Sequence, residues 1–456
     1  MGAEASKKSL SSDSHTLWMS IEEEKLINAH IMQITTEGCL PEEKILEVSS
    51  HGDGQMLAER FLALLKKWPN RGTDKQPPAT GRALPSAKLL QVFIEILNPD
   101  PSIQTAVLCL LSGSDGGSVQ SNDLVQAVAL VIERYCRLAS VAPATRLSAD
   151  ADSSGRVARE WLNSLLFADA LNKKTVTMAL PSTALSQAGV ERWLQGHAAV
   201  YGVVQVTVMR SLVLPALTSP PSLFPDIIAT KEMHVGLSAA DILLLNTALP
   251  QQLRCQWRLL FCNHTHGDSF SILMKQIVGK GPTLVVVEDE EGNKFGGFAS
   301  ASWEVRPQFH GTAESFLFSI NPYAGIYRST GYNTNYQYLN FLENNTMPNG
   351  LGFGGRVELF GLFLSYDFGE CSVAPSCTTF SSPALCLNAT PHIRRLTVWG
   401  VGEEPKDSDD DDDDDDKQKT KKRSALDRNP EARAMLDMIG RTRASEGLRE
   451  PEPEPE

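Results

Sequence analysis

Five side chains between positions 255 and 289 are of the types that catalyse acid–base or nucleophilic reactions: His266, Glu288, Asp289, Cys255 and Cys262. The imidazole and the two carboxylates could exchange a proton with a substrate, and either thiol could attack one. A histidine that directly precedes a glycine is, however, more often a helix-entry or packing residue. Nothing in the spacing brings these five side chains together. We therefore predict that the chain is not an enzyme and has no catalytic residue.

The acidic pair Glu288 and Asp289 has a second interpretation. It ends a β-branched run over residues 283–289, and after a turn at residues 290–293 a second strand returns over 294–300. This arrangement predicts a hairpin. Charged residues at a hairpin end usually face solvent, where they can also meet a basic partner. We predict Glu288 and Asp289 as partner-binding residues.

Gly350, Gly352 and Gly355 have the G-x-G-x-x-G spacing of a dinucleotide-binding loop. Such a loop follows a strand and opens a helix, whose N-terminus holds the pyrophosphate. Here the sequence Met-Pro-Asn precedes the glycines and a strand-like run follows them. The glycines are better explained by positive φ angles and by close approach to a neighbouring sheet. We predict no cofactor for this chain.

Residues 112–123 have the outline of a calcium-binding EF-hand loop. Gly117 is at the sixth position, where the loop turns sharply, and Val119 is at the eighth, where paired loops join. Asp123 is at the twelfth position, but Ser112 stands where the first aspartate ligand should be. Calcium requires about 6–8 oxygen ligands, several of them charged. The sequence therefore predicts an EF-hand-like helical scaffold without a metal site, and an unrelated helical bundle is the alternative.

Charge and cysteine usage exclude two further classes of protein. The net charge is −13, and residues 403–456 contribute −8 of it with 19 acidic and 11 basic side chains. The remaining −5 is not the clustered basic surface that a nucleic acid requires, so we predict no nucleic-acid partner. None of the eight cysteines forms a C-x-x-C pair, which argues against a thiolate zinc site. No apolar signal peptide is present, so we expect a cytoplasmic, reducing setting.

The first eight residues contain a membrane-targeting pattern. Gly2 after Met1 and Ser6 fit the N-myristoylation motif, so we predict Gly2 as a lipidation site. A single myristoyl chain binds membranes weakly, and Lys7 and Lys8 would add attraction to an anionic leaflet. An apolar stretch over residues 198–217 is interrupted by polar and charged residues, so we predict a buried helix, or a helix and a strand, and not a membrane crossing.

Two kinds of element must position these residues. Residues 15–140 and 156–215 have apolar side chains at helical spacing, as in Leu124, Val128, Val131 and Tyr135. From residue 283 to 401, short strands joined by turns indicate antiparallel sheets. The predicted fold class is α+β.

The C-terminal tail contains an acidic run, Asp409–Asp416, which cannot form a core and should be disordered. A short helix near residues 430–439 should follow, starting at an Asn-Pro-Glu cap and ending at a glycine. A helix this short is marginal in isolation, so it must dock either on its own domain or in the groove of a partner. We predict that its apolar side chains bind a partner: Met435, Leu436 and Ile439.

An ordered series of short motifs gives this region a family resemblance. They are W257-R-L-L-F261, H266-G-D-S-F270, G281-P-T-L284, F295-G-G-F-A-S300, F316-L-F-S319, G350-L-G-F-G-G355 and T397-V-W-G400. The series resembles the TLDc domain of the oxidation-resistance proteins. That resemblance implies two antiparallel β-sheets flanked by helices, and a binding module that offers no catalytic residues to transfer.

Together with the Met-Gly start and the EF-hand-like helices, the resemblance implies an adaptor on the lysosomal membrane. The implied partners are components of the mTOR kinase complex and the proton pump V-ATPase, with the membrane bound through the myristoyl group. An oxidation-resistance protein with a weak enzymatic activity is the alternative. The predicted organisation is an acylated segment at 1–12, an EF-hand-like domain at 13–140, a linker at 141–155, a helical region at 156–232, the TLDc domain at 233–402 and the tail at 403–456.

Overall fold

The structure is a computed structural model. It describes residues 19, 21–35, 39–40, 55–68, 84–114, 117–139, 152–167, 184–195, 199–213, 223–228, 236–341, 347–368 and 371–405. All of them fall within one compact unit, Met1–Pro405. The predicted lipidation site Gly2 lies outside the described residues, as do Asp409–Asp416, Met435, Leu436 and Ile439. The domain boundaries drawn from the sequence stay predictions.

The first half of the described chain is helical. Its helices are α1 (Ile21–Ile34), α2 (Gln55–Lys67), α3 (Ser86–Ile96), α4 (Pro101–Leu111), α5 (Ser121–Leu138), α6 (Ser153–Phe167), α7 (Gln187–Gln195) and α8 (Ala199–Val213). Local chemistry fixes several ends: the Asp100 carboxylate caps α4 by accepting from the amide of Ser102 at 2.9 Å. In α5 the predicted apolar stripe is confirmed, because Leu124, Val128 and Tyr135 are all buried.

Short strands join these helices in pairs, as EF-hand loops do. The strands are β1 (Cys39–Leu40), β2 (Leu84–Pro85), β3 (Ser118–Gln120) and β4 (Ala184–Ser186). β1 pairs with β2 and β3 pairs with β4, both antiparallel. Val119 lies opposite Leu185 in the second pair, which confirms that the eighth loop position joins a paired loop.

Two ligand positions of the loop at residues 112–123 hold serine hydroxyls that form internal hydrogen bonds. The Ser112 hydroxyl donates to the carbonyl of Leu108 at 2.8 Å and is 6 % exposed. The Ser114 hydroxyl donates to the carbonyl of Ser118 at 2.8 Å, and Gly117 has a φ of +105°. The hydroxyl at the first ligand position is therefore bonded back to helix α4, and the hydroxyl at the third position bonds across the loop.

The second half contains most of the strands. They are β5 (Asp226–Ile228), β6 (Gln256–Cys262), β7 (Thr283–Asp289), β8 (Lys294–Ala299), β9 (Arg306–His310), β10 (Phe316–Asn321), β11 (Gly325–Arg328), β12 (Gln337–Asn340), β13 (Gly350–Arg356), β14 (Leu359–Ser365), β15 (Cys371–Val373), β16 (Ser376–Cys377), β17 (Ser382–Pro383) and β18 (Ile393–Val401). Three helices accompany them: α9 (Ala239–Ala248), α10 (Asn263–His266) and α11 (Phe270–Ile277).

These strands form two main sheets, as the α+β prediction requires. One has seven strands in the order β11-β10-β8-β7-β18-β6-β5, and the other has five in the order β15-β14-β13-β12-β9. Neighbouring strands are antiparallel except for the edge strand β5, which runs parallel to β6. The predicted hairpin at residues 283–300 is confirmed as β7–β8.

Both faces of the seven-stranded sheet are buried. Along β7, Leu284 and Val286 join a core that also contains the helices, whereas Val285 and Val287 join the core between the two sheets. The helical core continues through α9, where the Asn246 side chain accepts from the indole of Trp257 at 3.1 Å. Helices and sheet therefore share one apolar core.

The dinucleotide-like glycines lie in β13 and do not form a loop before a helix. A Cβ on Gly352 would stand 2.6 Å from the ring of Phe360 on β14, which is closer than two carbon atoms can approach. Gly355 has a φ of +77°, in the left-handed region that favours glycine. The prediction that these glycines serve close packing and positive φ angles is confirmed.

Candidate partner-binding surface

The turn of the β7–β8 hairpin is built around Asp289. This residue is 1 % exposed, and its carboxylate accepts from the amide and from the side-chain Nδ2 of Asn293, both at 2.7 Å. The expectation of a solvated acidic pair is therefore wrong for Asp289, because its carboxylate folds inward to satisfy the turn. Whether Asp289 contributes to partner binding stays a prediction.

Glu288 is paired within the domain. It lies in β7 between Lys294 on β8 and Arg395 on β18, each directly opposite it in the sheet. Its two carboxylate oxygens lie 3.1 Å from Nη1 of Arg395 and 3.6 Å from Nη1 of Arg394. The Glu288 side chain is 12 % exposed. Its charge is therefore largely compensated by cations of the same sheet.

The charges that solvent reaches at this corner belong to neighbouring residues. Glu290 and Glu291 are exposed in the turn, and the Arg394 side chain is 57 % exposed. The amide of Glu290 donates to the carbonyl of His392 at 3.2 Å, which holds the turn against the start of β18. The sequence pattern did not single out Glu290 and Glu291 as binding residues, although their place between two strands was a usable signal. We define the hairpin-tip surface as Glu290, Glu291, His392 and Arg394.

The segment before α9 covers the Glu288–Arg395 pair. Gly236 has a φ of +73°, and a Cβ there would stand 2.5 Å from Nη1 of Arg395. A small notch of about 10 Å³ remains, lined by Gly236, Val286, Glu288, Lys294, Arg395 and Thr397. This volume is close to that of a single water site, so the notch does not have room for an organic substrate.

Helix α6 of the helical half contacts residues of the TLDc-like second half. Nη2 of Arg156 on α6 lies 3.9 Å from Oδ1 of Asp241 on α9, and Asp241 also completes a capping box with Ser238. Burial raises the pKa of the Asp241 carboxyl, against the opposing effects of the Ser238 hydrogen bonds and the nearby Arg156 and Lys294 charges. Farther along α6, Glu160 accepts from the amide of Ile326 at 3.2 Å. Two charged residues of α6 therefore contact the second half of the chain directly, at Asp241 and Ile326.

The other candidate catalytic residues have local, structural partners. The backbone amide of Cys262 donates to Nδ1 of His266 at 3.0 Å, and the His266 ring stacks on Phe261 at 5.4 Å between centroids. His266 is therefore a packing residue at the end of α10, as its position before a glycine indicates. Cys262 is buried and Cys255 is exposed. The contacts of His266 do not include the two carboxylates of β7.

Two properties of the described residues concern membranes and metals. Within the described part of the chain, none of the helices combines the length and apolar character that a bilayer crossing requires. Among the same residues, no three His, Cys, Asp or Glu side chains converge in a way that could hold a metal ion.

The chain matches a protein-family model and several individual proteins. The family model of the TLDc domain matches residues 234–402. The MTOR-associated protein MEAK7 of chicken is 39 % identical over 317 residues, which cover 66 % of this chain and 64 % of that protein. Mouse MEAK7 is 37 % identical over 342 residues, or 72 % of this chain and 71 % of that protein. Oxidation resistance protein 1 of rat is 30 % identical over 151 residues, which cover 33 % of this chain and 17 % of that protein. The chain thus aligns with about two thirds of the length of the chicken and mouse relatives.

Proposed function

Because this chain belongs to the MEAK7 family of TLDc-domain proteins, we propose that it is a non-catalytic adaptor that joins a membrane to a signalling complex. The extent of the family similarity carries this proposal. The alignment with the mouse relative spans 342 residues, whereas the TLDc family model matches residues 234–402 alone. The similarity therefore extends beyond the TLDc domain, and an adaptor built from both parts is favoured over a general TLDc function.

The proposed partners follow from the names of the relatives and from the family resemblance. MEAK7 is named as an mTOR-associated protein, so we propose components of the mTOR kinase complex as partners of this chain. We also propose binding to the V-ATPase and a peripheral location on the lysosomal membrane, with a myristoyl group on Gly2 as the lipid anchor. Residues Met435, Leu436 and Ile439 of the tail are proposed to add to the same binding.

On the TLDc side, we propose the hairpin-tip surface as the contact. Its exposed acids are Glu290 and Glu291, and a rigid hairpin presents them because the buried Asp289 carboxylate closes the turn. Glu288 and Asp289 would then act in partner binding by shaping this surface. Charges across an interface are complementary, so the expected partner carries basic side chains opposite these two acids. Exposed charges of this kind chiefly affect the association rate and the specificity of binding.

The experiment that tests this proposal is crosslinking mass spectrometry of the full chain on isolated lysosomal membranes. It should find crosslinks from the β7–β8 region to mTOR-complex or V-ATPase subunits. The double variant Glu290→Lys with Glu291→Lys should reduce these crosslinks by reversing the charge of the turn. Glu314→Lys is the matched control, since Glu314 is an exposed acid in a different loop. Equal crosslinking by the two variants would show that the hairpin-tip surface is not the contact.

An oxidation-resistance function is the second candidate. The 30 % identity to oxidation resistance protein 1 supports it, but that similarity covers only a third of this chain. A peroxide challenge of cells that lack the protein separates the candidates. Rescue by the Gly2→Ala variant as complete as rescue by the natural chain would favour this second function over a membrane adaptor.

A further inference from the structure

Beside the far end of β18, away from Glu288, the neighbouring strand β6 contains a buried arginine with an incomplete set of partners. Arg258 on β6 lies opposite Gly400 on β18 and is 9 % exposed. Its Nη1 lies 3.2 Å from Oε1 of Glu404. Within the described residues, its Nε and Nη2 have no hydrogen-bond partner. A guanidinium carries five N–H donors, so a single carboxylate oxygen leaves much of this group unsatisfied.

A second cation lies near the same carboxylate oxygen of Glu404. Nζ of Lys280 lies 3.6 Å from Oε1 of Glu404, so two positive charges converge on one carboxylate. The Glu404 side chain is 57 % exposed and that of Lys280 is 39 % exposed, so solvent reaches these two side chains while Arg258 stays buried. Among the described side chains of this cluster, two cations against one anion leave an excess of about one positive charge.

The backbone around Lys280 is already committed to other bonds. The amides of Gly279 and Lys280 donate to the carbonyls of Trp303 and Ile277, both at 3.2 Å. The amide of Gly281 donates to Oγ of Ser302 at 3.1 Å. Any ligand at this place would therefore be held by the Arg258 and Lys280 side chains and not by a backbone amide nest.

The geometry points to a binding site for a phosphate monoester, formed by Arg258 and Lys280 and occupied at rest by Glu404. A phosphate monoester carries a charge of about −1.5 to −2 and three acceptor oxygens, which match two cations better than one carboxylate does. Its oxygens can accept from Nη1 of the guanidinium and from the ammonium at the same time. Glu404 is then a competitor that the ligand displaces. This site is distinct from the hairpin-tip surface and goes beyond the proposed adaptor function.

Titration calorimetry of the full chain with inorganic phosphate tests the site, with sodium chloride of equal ionic strength as the blank. The Glu404→Gln variant should bind phosphate roughly two- to fivefold more tightly than the natural chain, because it lacks the competing exposed carboxylate. The Glu403→Gln variant should leave the affinity unchanged, although it removes the same charge from the neighbouring exposed position.

Lys280→Gln and Lys275→Gln form the second matched pair. Lys280→Gln should lose most of the phosphate affinity of the Glu404→Gln background, and Lys275→Gln, on the exposed side of α11, should not. Both are partly or fully exposed positions, so these variants avoid the folding defect that a change at the buried Arg258 could cause. Absence of saturable binding by Glu404→Gln, or equal losses from the two lysine variants, would overturn the proposal.

Two organic probes distinguish the source of the phosphate group. A peptide with one phosphoserine and soluble inositol 1,4,5-trisphosphate should be titrated into Glu404→Gln and into Glu404→Gln with Lys280→Gln. Lys280-dependent binding of either probe supports the site, and the tighter probe identifies its source. If neither probe binds in a Lys280-dependent way, the site does not accept phosphate monoesters and the inference is wrong.

Discussion

Replacing Asp289 with alanine should destabilise the folded protein by about 3–4 kcal/mol. The carboxylate accepts two hydrogen bonds from Asn293 at 2.7 Å, one from the amide and one from the side chain. Hydrogen bonds to a charged group contribute roughly 1.5–3 kcal/mol each. Asn293 is 7 % exposed, so water cannot fully replace the lost acceptor. Partial relaxation of the turn should keep the loss below the sum of the two upper values.

The assay is urea unfolding of the full chain followed by tryptophan fluorescence, with the free energy of unfolding obtained by linear extrapolation. Asp289→Asn retains one side-chain oxygen, so it should lose about 1–2 kcal/mol. Glu290→Ala is the matched control at the next, exposed position and should change stability by less than about 0.5 kcal/mol. If Asp289→Ala were as stable as Glu290→Ala, the carboxylate would not be the group that holds the hairpin turn, and the interpretation of Asp289 as buried and structural would fail.

Four further predictions follow from the sequence and the structure. Gly2→Ala should release the protein from membranes in cell fractionation, and unchanged association would argue against acylation or show that partner binding alone suffices. Calorimetric titration of the full chain should give no micromolar calcium binding, because Ser112 replaces the first carboxylate ligand and donates to Leu108 instead. Replacing the tail residues Met435, Leu436 and Ile439 with serine should weaken capture of the mTOR complex or V-ATPase and leave the melting temperature nearly unchanged; a lower melting temperature with partners retained would indicate a brace in cis. Asp241→Asn should gain stability relative to the natural chain as pH rises from about 4 towards neutrality, since burial raises the folded pKa of Asp241 and its stabilising contribution is lost as pH rises through that value; a pH-independent difference would contradict this.

Local patterns in the sequence were sufficient for several elements. The β-branched run, the turn and the return strand at residues 283–300 predicted the β7–β8 hairpin, because hairpin pairing is decided by neighbours along the chain. The eighth position of the EF-hand-like loop predicted the pairing that Val119 makes with Leu185. The glycine spacing at 350–355 was interpreted from its flanking residues as close packing beside a sheet and not as a dinucleotide loop, and the structure places these glycines within a strand, β13.

The roles of Glu288 and Asp289 were not decided by local pattern. Glu288 pairs with Arg395, which is 107 positions later in the chain and reaches it only because β7 and β18 are neighbours in the sheet. Asp289 turns inward because Asn293 offers two donors in a tight turn, which composition does not reveal. The expectation that Asp289 faces solvent was therefore wrong, and Glu290 and Glu291 are exposed acids of this turn.

By itself the sequence determined the class of the fold, the family and the positions of several strands and helices, because periodicity and short motifs are properties of neighbouring residues. It did not determine which face of the seven-stranded sheet meets the helices. β7 is a continuous apolar run, since Leu284 and Val286 enter one core and Val285 and Val287 the other, so no alternation marks an exposed face. Tertiary structure also placed Arg258 and Lys280 around one oxygen of Glu404. Such groupings depend on strands that are adjacent in space and distant in sequence, and a single sequence contains no measure of that distance.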